Sequence, residues 1–178
     1  MKIAVPPDLQ PTLAGETILI RPLRSEDWPE LFAAASDPLI WEVHPARDRY
    51  KQDVFRQFFD GALESKSAFA FVERATGALI GSSRYHGYDP ERSEIEIGWT
   101  FLVRAHWGGH TNREIKRLML THAFTFVDTV VFWVGESNGR SQRAMEKIGG
   151  KRRDGLVLRS SVPGPHVVFE ITRAGFRL

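Results

Sequence analysis

The 178-residue sequence contains no cysteine, which excludes disulfides, thiolate metal sites and a cysteine nucleophile. It also lacks a large excess of either charge: 24 Lys and Arg stand against 22 Asp and Glu, for a formal net charge of +2. Despite a pI near 9.1, so small an excess is no footprint for nucleic acid. No apolar run approaches the roughly 20 residues that span a bilayer. The opening MKIAVPPDLQP has no apolar stretch of the secretory kind. Internal repeats and low-complexity tracts are absent as well. The expectation is a cytoplasmic protein, a monomer or homodimer, without a metal and without nucleic-acid or membrane partners.

What is present is an ordinary globular composition, 42% hydrophobic and 26% charged. A length of this order suits one domain over 1–178, with an extended arm over 1–13 that carries Pro6, Pro7 and Pro11. TILIRPL (17–23) reads as a strand and SEDWPELFAAA (25–35) as a helix with Ser25 as N-cap. Val54, Phe55, Phe58, Phe59 and Leu63 recur at helical spacing. SAFAFVER, the turn ATG and ALIGSSRYHGY form a hairpin over 67–88. SEIEIGWTFL (93–102) alternates Ile95, Ile97, Trp99 and Phe101 against Glu94, Glu96, Gly98 and Thr100, as a strand does.

Ile115, Leu118, Met119, His122, Ala123 and Phe126 mark an amphipathic helix, with Thr111 and Glu114 at capping-box spacing. TVVFWV (129–134) is a strand suited to burial on both faces, SNGRSQRAMEKIGG (137–150) a glycine-ended helix, and HVVFEITR (166–173) a final strand. The order β-α-α-β-β-β-α-β-α-β describes an α/β protein, a mixed sheet with helices on its faces.

RAHWGGHTNRE (104–114) places two glycines just before a helix start. Such a turn presents unpaired N–H groups, reinforced by the helix dipole, to a phosphate. It is equally what a strand-to-helix turn needs for steric reasons alone. It matches neither the dinucleotide nor the P-loop glycine pattern.

Three blocks together resemble the GNAT acetyltransferase superfamily, in particular its ribosomal-protein N-terminal acetyltransferase branch and relatives. They are IRPLRSEDWPEL, EIEIGWTFLVRAHWGGHTNREIKRLMLTHAF and VVFWVGESNGRSQRAMEKIGG, spread over roughly residues 15–175. The resemblance implies a mostly antiparallel central sheet splayed between the family's fourth and fifth strands, with helices on both faces. Acetyl-CoA lies in that splay. The family's pyrophosphate signature, Arg/Gln-x-x-Gly-x-Gly/Ala, falls on Trp107, His110 and Asn112, departing at all three positions.

The cofactor region so implied comprises Phe101, Leu102 and Val103, which would pair with the pantetheine arm, and Arg104, Trp107, Gly108, Gly109, His110, Thr111, Asn112 and Arg113 around the phosphates. Lys116 is a further cation for the phosphates or a member of a solvated helix face. The direction of the His110 Cβ decides whether the loop still admits its ligand. Asn138 and Ser141 match the family's Asn-x-x-Ser facing the thioester; plain helix capping explains the same residues.

The implied reaction moves an acetyl group from acetyl-CoA to a primary amine, on a protein N-terminus or a small molecule. Glu96, in EIGW, resembles the strand glutamate that serves as base in the N-terminal acetyltransferase branch. Glu94 shares its face by alternation, so that a close pair would raise the pKa of one of them; the alternative is that both simply face solvent. Ser141 is the candidate acid for the departing thiolate. Trp41, His44, Tyr85 and His86 are the candidates to shape the acceptor site. The alternative is a protein of the same fold that holds CoA poorly and performs no transfer.

Overall fold

The computed structural model describes residues 6–177. The chain order is β1 (Leu13–Ala14), β2 (Ile18–Pro22), α1 (Trp28–Ala35), α2 (Gln52–Glu64), β3 (Ala68–Glu73), β4 (Leu79–Asp89), β5 (Glu94–Leu102), α3 (His110–Ala123), β6 (Thr129–Gly135), α4 (Gly139–Lys147), β7 (Lys151–Arg152), β8 (Val157–Arg159) and β9 (Val162–Thr172). Among the described residues the strands form one sheet in the order β1-β2-β3-β4-β5-β6-β9-β7, with β8 on β9. The order expected from periodicity is met once the short strands β1, β7 and β8 are added. Part of the N-terminal arm thus joins the sheet edge as β1; residues 1–5 of that arm lie outside the described residues. No helix among the described residues is long and apolar enough to cross a membrane.

Every neighbouring pair is antiparallel except β5 and β6. That parallel ladder holds only from Glu94–Thr129 to Glu96–Val131, although β5 runs on to Leu102 and β6 to Gly135. The splay expected between strands 4 and 5 is therefore here, between β5 and β6, displaced by one in number because of β1.

Two cores cover the faces. One joins Ile95, Ile97, Ile115, Met119, Phe132 and Phe169 beneath α3 and α4, and the other joins Leu31, Trp41, Phe55, Phe59 and Phe101 beneath α1 and α2. The assignment of Ile95 and Phe101 to different cores breaks the alternation expected of β5. Trp99 adopts φ +53, a left-handed conformation that bulky residues rarely take. Ser82 pairs with Phe101 and Arg84 with Gly98, so Trp99 and Thr100 both stand opposite Ser83. This bulge inserts one residue and exchanges the faces beyond it.

Two expected caps take other forms. Ser25 opens a 3-10 turn rather than capping α1; the carboxylate of Asp27 accepts the Arg24 N–H and a forked pair from Arg21 at 2.7 and 2.8 Å. No capping box forms at α3. Glu114 turns back to accept from the N–H and hydroxyl of Thr17, and Thr111 Oγ1 meets His106 Nδ1 at 3.1 Å. Glu114 thereby ties α3 to the start of β2.

Candidate active site

Where β5 and β6 part, two clefts open and meet. One, of about 710 Å³ with its mouth, is lined by Arg49, Glu96, Trp99, Trp133, Arg159 and His166 among others. The other, of about 800 Å³, is lined by Trp41, Phe101, Leu102, Trp107, Gly108 and Asn112 among others. His44, Thr100, Lys116, Asn138, Ser141 and Met145 line both, and so form the throat. The loop after α1 closes one side: Trp41 donates to Ala35 O at 2.8 Å, and Pro45 packs on Gly135, where a Cβ would lie 2.5 Å from Pro45 Cγ.

Glu96 sits in the first cleft, 5% exposed. Its Oε2 accepts from Arg159 Nη2 at 2.5 Å, and a Cβ on Gly98 would lie 2.7 Å from its Oε1. Glycine at 98 is what leaves the carboxylate room. Burial raises the Glu96 pKa, and the neighbouring Arg159 and Arg84 only partly oppose that rise. Arg159 is clamped between the rings of Trp99 and Trp133, 4.4 Å from each centroid. Glu94, by contrast, pairs with Arg153 at 2.5 Å. The rise at Glu96 comes from desolvation, not from Glu94 as its place in the strand suggested.

Lys116 occupies the throat with 3% exposure and no carboxylate within ion-pair distance among the described residues. Its Nζ donates to Thr100 Oγ1 over a long 3.4 Å and lies 5.0 Å from the Phe132 ring. Thr100 Oγ1 meets Ser83 Oγ at 2.7 Å, and Ser83 donates to Gly98 O at 3.1 Å, so a polar chain runs from the ammonium through the bulge. Burial lowers the Lys116 pKa to about 8. His44, also in the throat, is driven down to about 3 by burial and by Arg49, and is neutral. Its Nδ1 accepts from Ala46 N–H at 2.9 Å, which leaves the proton on Nε2.

The glycine-rich turn opens α3 as a donor site. Gly108 has φ +69, Gly109 is an N-cap without a side-chain bond, and the N–H groups of His110, Thr111 and Asn112 have no partner among the described residues. Asn112 and Lys116, four apart, face the clefts. His110 lies about 200° around the helix from Asn112, with its ring 3.6 Å from Glu114. The imidazole therefore stands away from the donor turn. Arg140 from α4 stacks on Trp107 at 3.8 Å and donates to Ile40 O, bringing a cation to the same cleft.

A family model for the acetyltransferase (GNAT) domain matches residues 17–151. The chain belongs to the GNAT acetyltransferase family. As a GNAT member it is an N-acetyltransferase, and its solved relatives share the fold. A GCN5-related N-acetyltransferase from Brucella melitensis superposes with a TM-score of 0.81 at 20% identity, over 93% of this chain and 80% of the other. Spermidine N-acetyltransferase from Vibrio cholerae, solved with CoA and spermine, gives 0.69 at 15% identity over 90% and 98%. RimJ from Mycobacterium smegmatis, solved with a CoA disulfide, gives 0.68 at 19% identity over 94% and 90%. No curated protein matches the sequence.

The GNAT clefts gather Glu96, Phe101, Leu102, Trp107, Gly108, Asn112, Asn138, Ser141, Trp41 and His44. Other expected residues stand elsewhere. Val103 lines neither cleft: its N–H goes to Ile80 O at 2.8 Å, while Leu102 O accepts from the Trp107 indole at 2.8 Å. The edge open to the clefts is shifted toward Thr100. Arg104 is drawn to Asp37 at 2.5 Å, and Arg113 is exposed on the helix. Gly109, His110 and Thr111 offer backbone rather than side chains.

Tyr85 is a core residue, fully buried, whose hydroxyl donates to Met119 O at 2.6 Å. His86 is exposed beside Trp99, one ring removed from the first cleft. Trp41 walls the second cleft, not the first. Asn138 caps α4, its Oδ1 accepting from Ser141 N–H at 3.1 Å, and lines the throat as well. The Ser141 hydroxyl has no protein partner among the described residues. Sequence reasoning missed Arg49, Arg159, Trp133 and the throat position of Lys116; only Lys116 left a trace, as the residue four after Asn112.

Proposed function

We propose that this GNAT protein transfers the acetyl group of acetyl-CoA to a primary amine by direct attack of the neutral amine on the thioester. The throat carries this reading: a thioester held in the cleft of Gly108 and Asn112 and an amine entering past Glu96 meet where Lys116 and Ser141 line both clefts. The free N–H groups at the start of α3 suit the pyrophosphate, with Arg140 beside them. The β5 edge near Thr100 and the side of Asn138 suit the pantetheine arm.

An α-amino group is about 10–15% neutral at pH 7, a deficit near 1.2 kcal/mol, whereas a lysine amine costs roughly 4.6 kcal/mol to deprotonate. A base is useful for the first and close to necessary for the second. Glu96 takes this proton; its raised pKa makes it a better acceptor than an exposed carboxylate. The C–N bond forms, the C–S bond breaks, and the Ser141 hydroxyl donates to the departing sulfur. Lys116 and the backbone of the bulge supply positive potential to the tetrahedral oxyanion. The Vibrio cholerae neighbour is named for spermidine, a polycation. Arg49, Lys116 and Arg159 in the first cleft oppose such an acceptor here.

The test is a thermal melt with acetyl-CoA followed by an amine-dependent thiol-release assay. Binding raises the Tm by mass action, and thiol appears only when an amine is added. An unchanged Tm at millimolar acetyl-CoA would overturn the proposal.

A further inference from the structure

The first cleft holds more positive charge than it neutralises. Arg49, Lys116 and Arg159 line it against one carboxylate, Glu96. Glu96 and Arg159 neutralise each other in charge, which leaves Arg49 and Lys116. Arg49 is 7% exposed and meets no carboxylate among the described residues. Its guanidinium lies instead against the rings of Phe58 and Trp41, at 4.7 and 5.3 Å. Lys116 has its long contact to Thr100 and the face of the Phe132 ring, and no carboxylate partner among the described residues. His44 and His166, which also line the cleft, have lowered pKa values from burial and the nearby arginines, and so add no further positive charge. The Nδ1 of His166 is buried without a partner. Arg84, stacked 4.1 Å from the Trp99 centroid, adds a further cation behind the wall.

Two buried cations that form no ion pair among the described residues, with Asp48 acting on Arg49 only from a distance, carry a desolvation cost that packing alone does not return. The missing charge is one that a ligand can bring. An ordinary alkylammonium or a polyamine would add a like charge. An amine that carries its own anionic group brings the complement, which a guanidinium can grip through two parallel N–H bonds. The same positive field disfavours the ammonium form of the attacking nitrogen, which is the form that cannot react.

We infer that the acceptor is a small amine bearing its own anionic group, a carboxylate or a phosphate, gripped by Arg49 with Lys116 completing the positive field at the throat. The amine half of this inference rests on the acetyl-transfer reading; the anion half stands on the cleft alone.

Binding is therefore measured without acetyl-CoA, by the change in tryptophan fluorescence, to which Trp99 and Trp133 in the cleft wall contribute among the five tryptophans. The probes are N-acetyl amino acids against their primary amides, phosphoethanolamine against ethanolamine, and spermidine. At least one anionic probe binds roughly tenfold or more tightly than its neutral counterpart, the weight of one charge-assisted pair. The series that shows the preference identifies carboxylate or phosphate. Arg49→Gln removes most of that preference; Lys116→Met, which keeps an apolar stem, weakens it in a second background should the first fold poorly. The inference is overturned if no anionic probe is preferred or if spermidine binds best.

Thiol release with the free amino acids, their amides and the two ethanolamines then separates the two readings. An anion preference in binding, with no response to acetyl-CoA, removes the transferase and leaves the anion site. Equal transfer within both pairs, amino acids against amides and phosphoethanolamine against ethanolamine, removes the anionic acceptor and leaves the transferase.

Discussion

Glu96 and Arg159, 63 residues apart in sequence, share a 2.5 Å ion pair in the first cleft of the splayed sheet. The pair holds the carboxylate by one oxygen only, and leaves Oε1 over Gly98 toward the cleft. Burial acts against the charge on Glu96 while Arg159 favours it, so the two influences can be separated by substitution.

Glu96→Gln is expected to lower kcat by about 100-fold, within the usual worth of a general base, while the acetyl-CoA melting shift persists. Arg159→Gln removes an influence that lowers the Glu96 pKa. The acid limb of the kcat/KM profile therefore moves to higher pH. Wild-type turnover in the first variant, or an unmoved limb in the second, would remove Glu96 as base.

Gly98→Ala places a methyl 2.7 Å from Glu96 Oε1. The carboxylate is flexible enough to move, so the stability loss should be about 1–2 kcal/mol. Turnover should fall roughly tenfold or more because the base leaves its position. Steady-state kinetics beside a urea titration check both halves.

Lys116 carries a pH-dependent stability term. Burial takes its pKa from the usual 10.5 to about 8. Below pH 8 the amine is charged in both the folded and unfolded chains, and the fold bears a penalty of roughly 3 kcal/mol. Between pH 8 and 10.5 the folded chain has released the proton that the unfolded chain retains, so stability rises with pH. Lys116→Met should gain about 2–3 kcal/mol at pH 7 and little near pH 10.5. Urea unfolding of both proteins across that window gives the difference directly; a constant difference would contradict the buried charge.

His110 and Asn112 differ in face, and so should differ in effect. His110→Ala, with its ring beside Glu114 and away from the donor turn, is expected to leave acetyl-CoA affinity within about threefold. Asn112→Asp puts a negative charge beside the free N–H groups of α3, and should weaken binding roughly tenfold. Calorimetric titration of both variants ranks them, and the reverse ranking would relocate the phosphates.

Much of the fold was legible because its signals are local. The alternation in EIEIGW, the helical spacing of Ile115, Met119 and Ala123, and the apolar run Val130–Val134 each encode an element within one short window. The departures share a cause. Strict alternation put Trp99 and Phe101 with Ile95, but the bulge exchanged faces, and a bulge leaves no mark on hydrophobic period. Tyr85, on a strand expected to border the acceptor site, was a candidate to shape it, yet the pairing of β4 with β3 and β5 turned its ring into the core, where Met119 O satisfies its hydroxyl. The weak strands β7 and β8 contain too few residues to show a period at all.

By itself the sequence determined the order of strands and helices, the glycine-rich entry to α3, the cap that Asn138 gives α4, and the strand that bears Glu96. Each of these rests on neighbours within a few residues. The tertiary structure alone decided that Lys116 is buried in a throat, that Arg159 reaches Glu96, and that Arg49 lines the same cleft with no ion-pair partner among the described residues. Those facts depend on which strands part and on what the β8–β9 hairpin brings across the sheet. Charges interact through space, and local sequence does not record the distance between them.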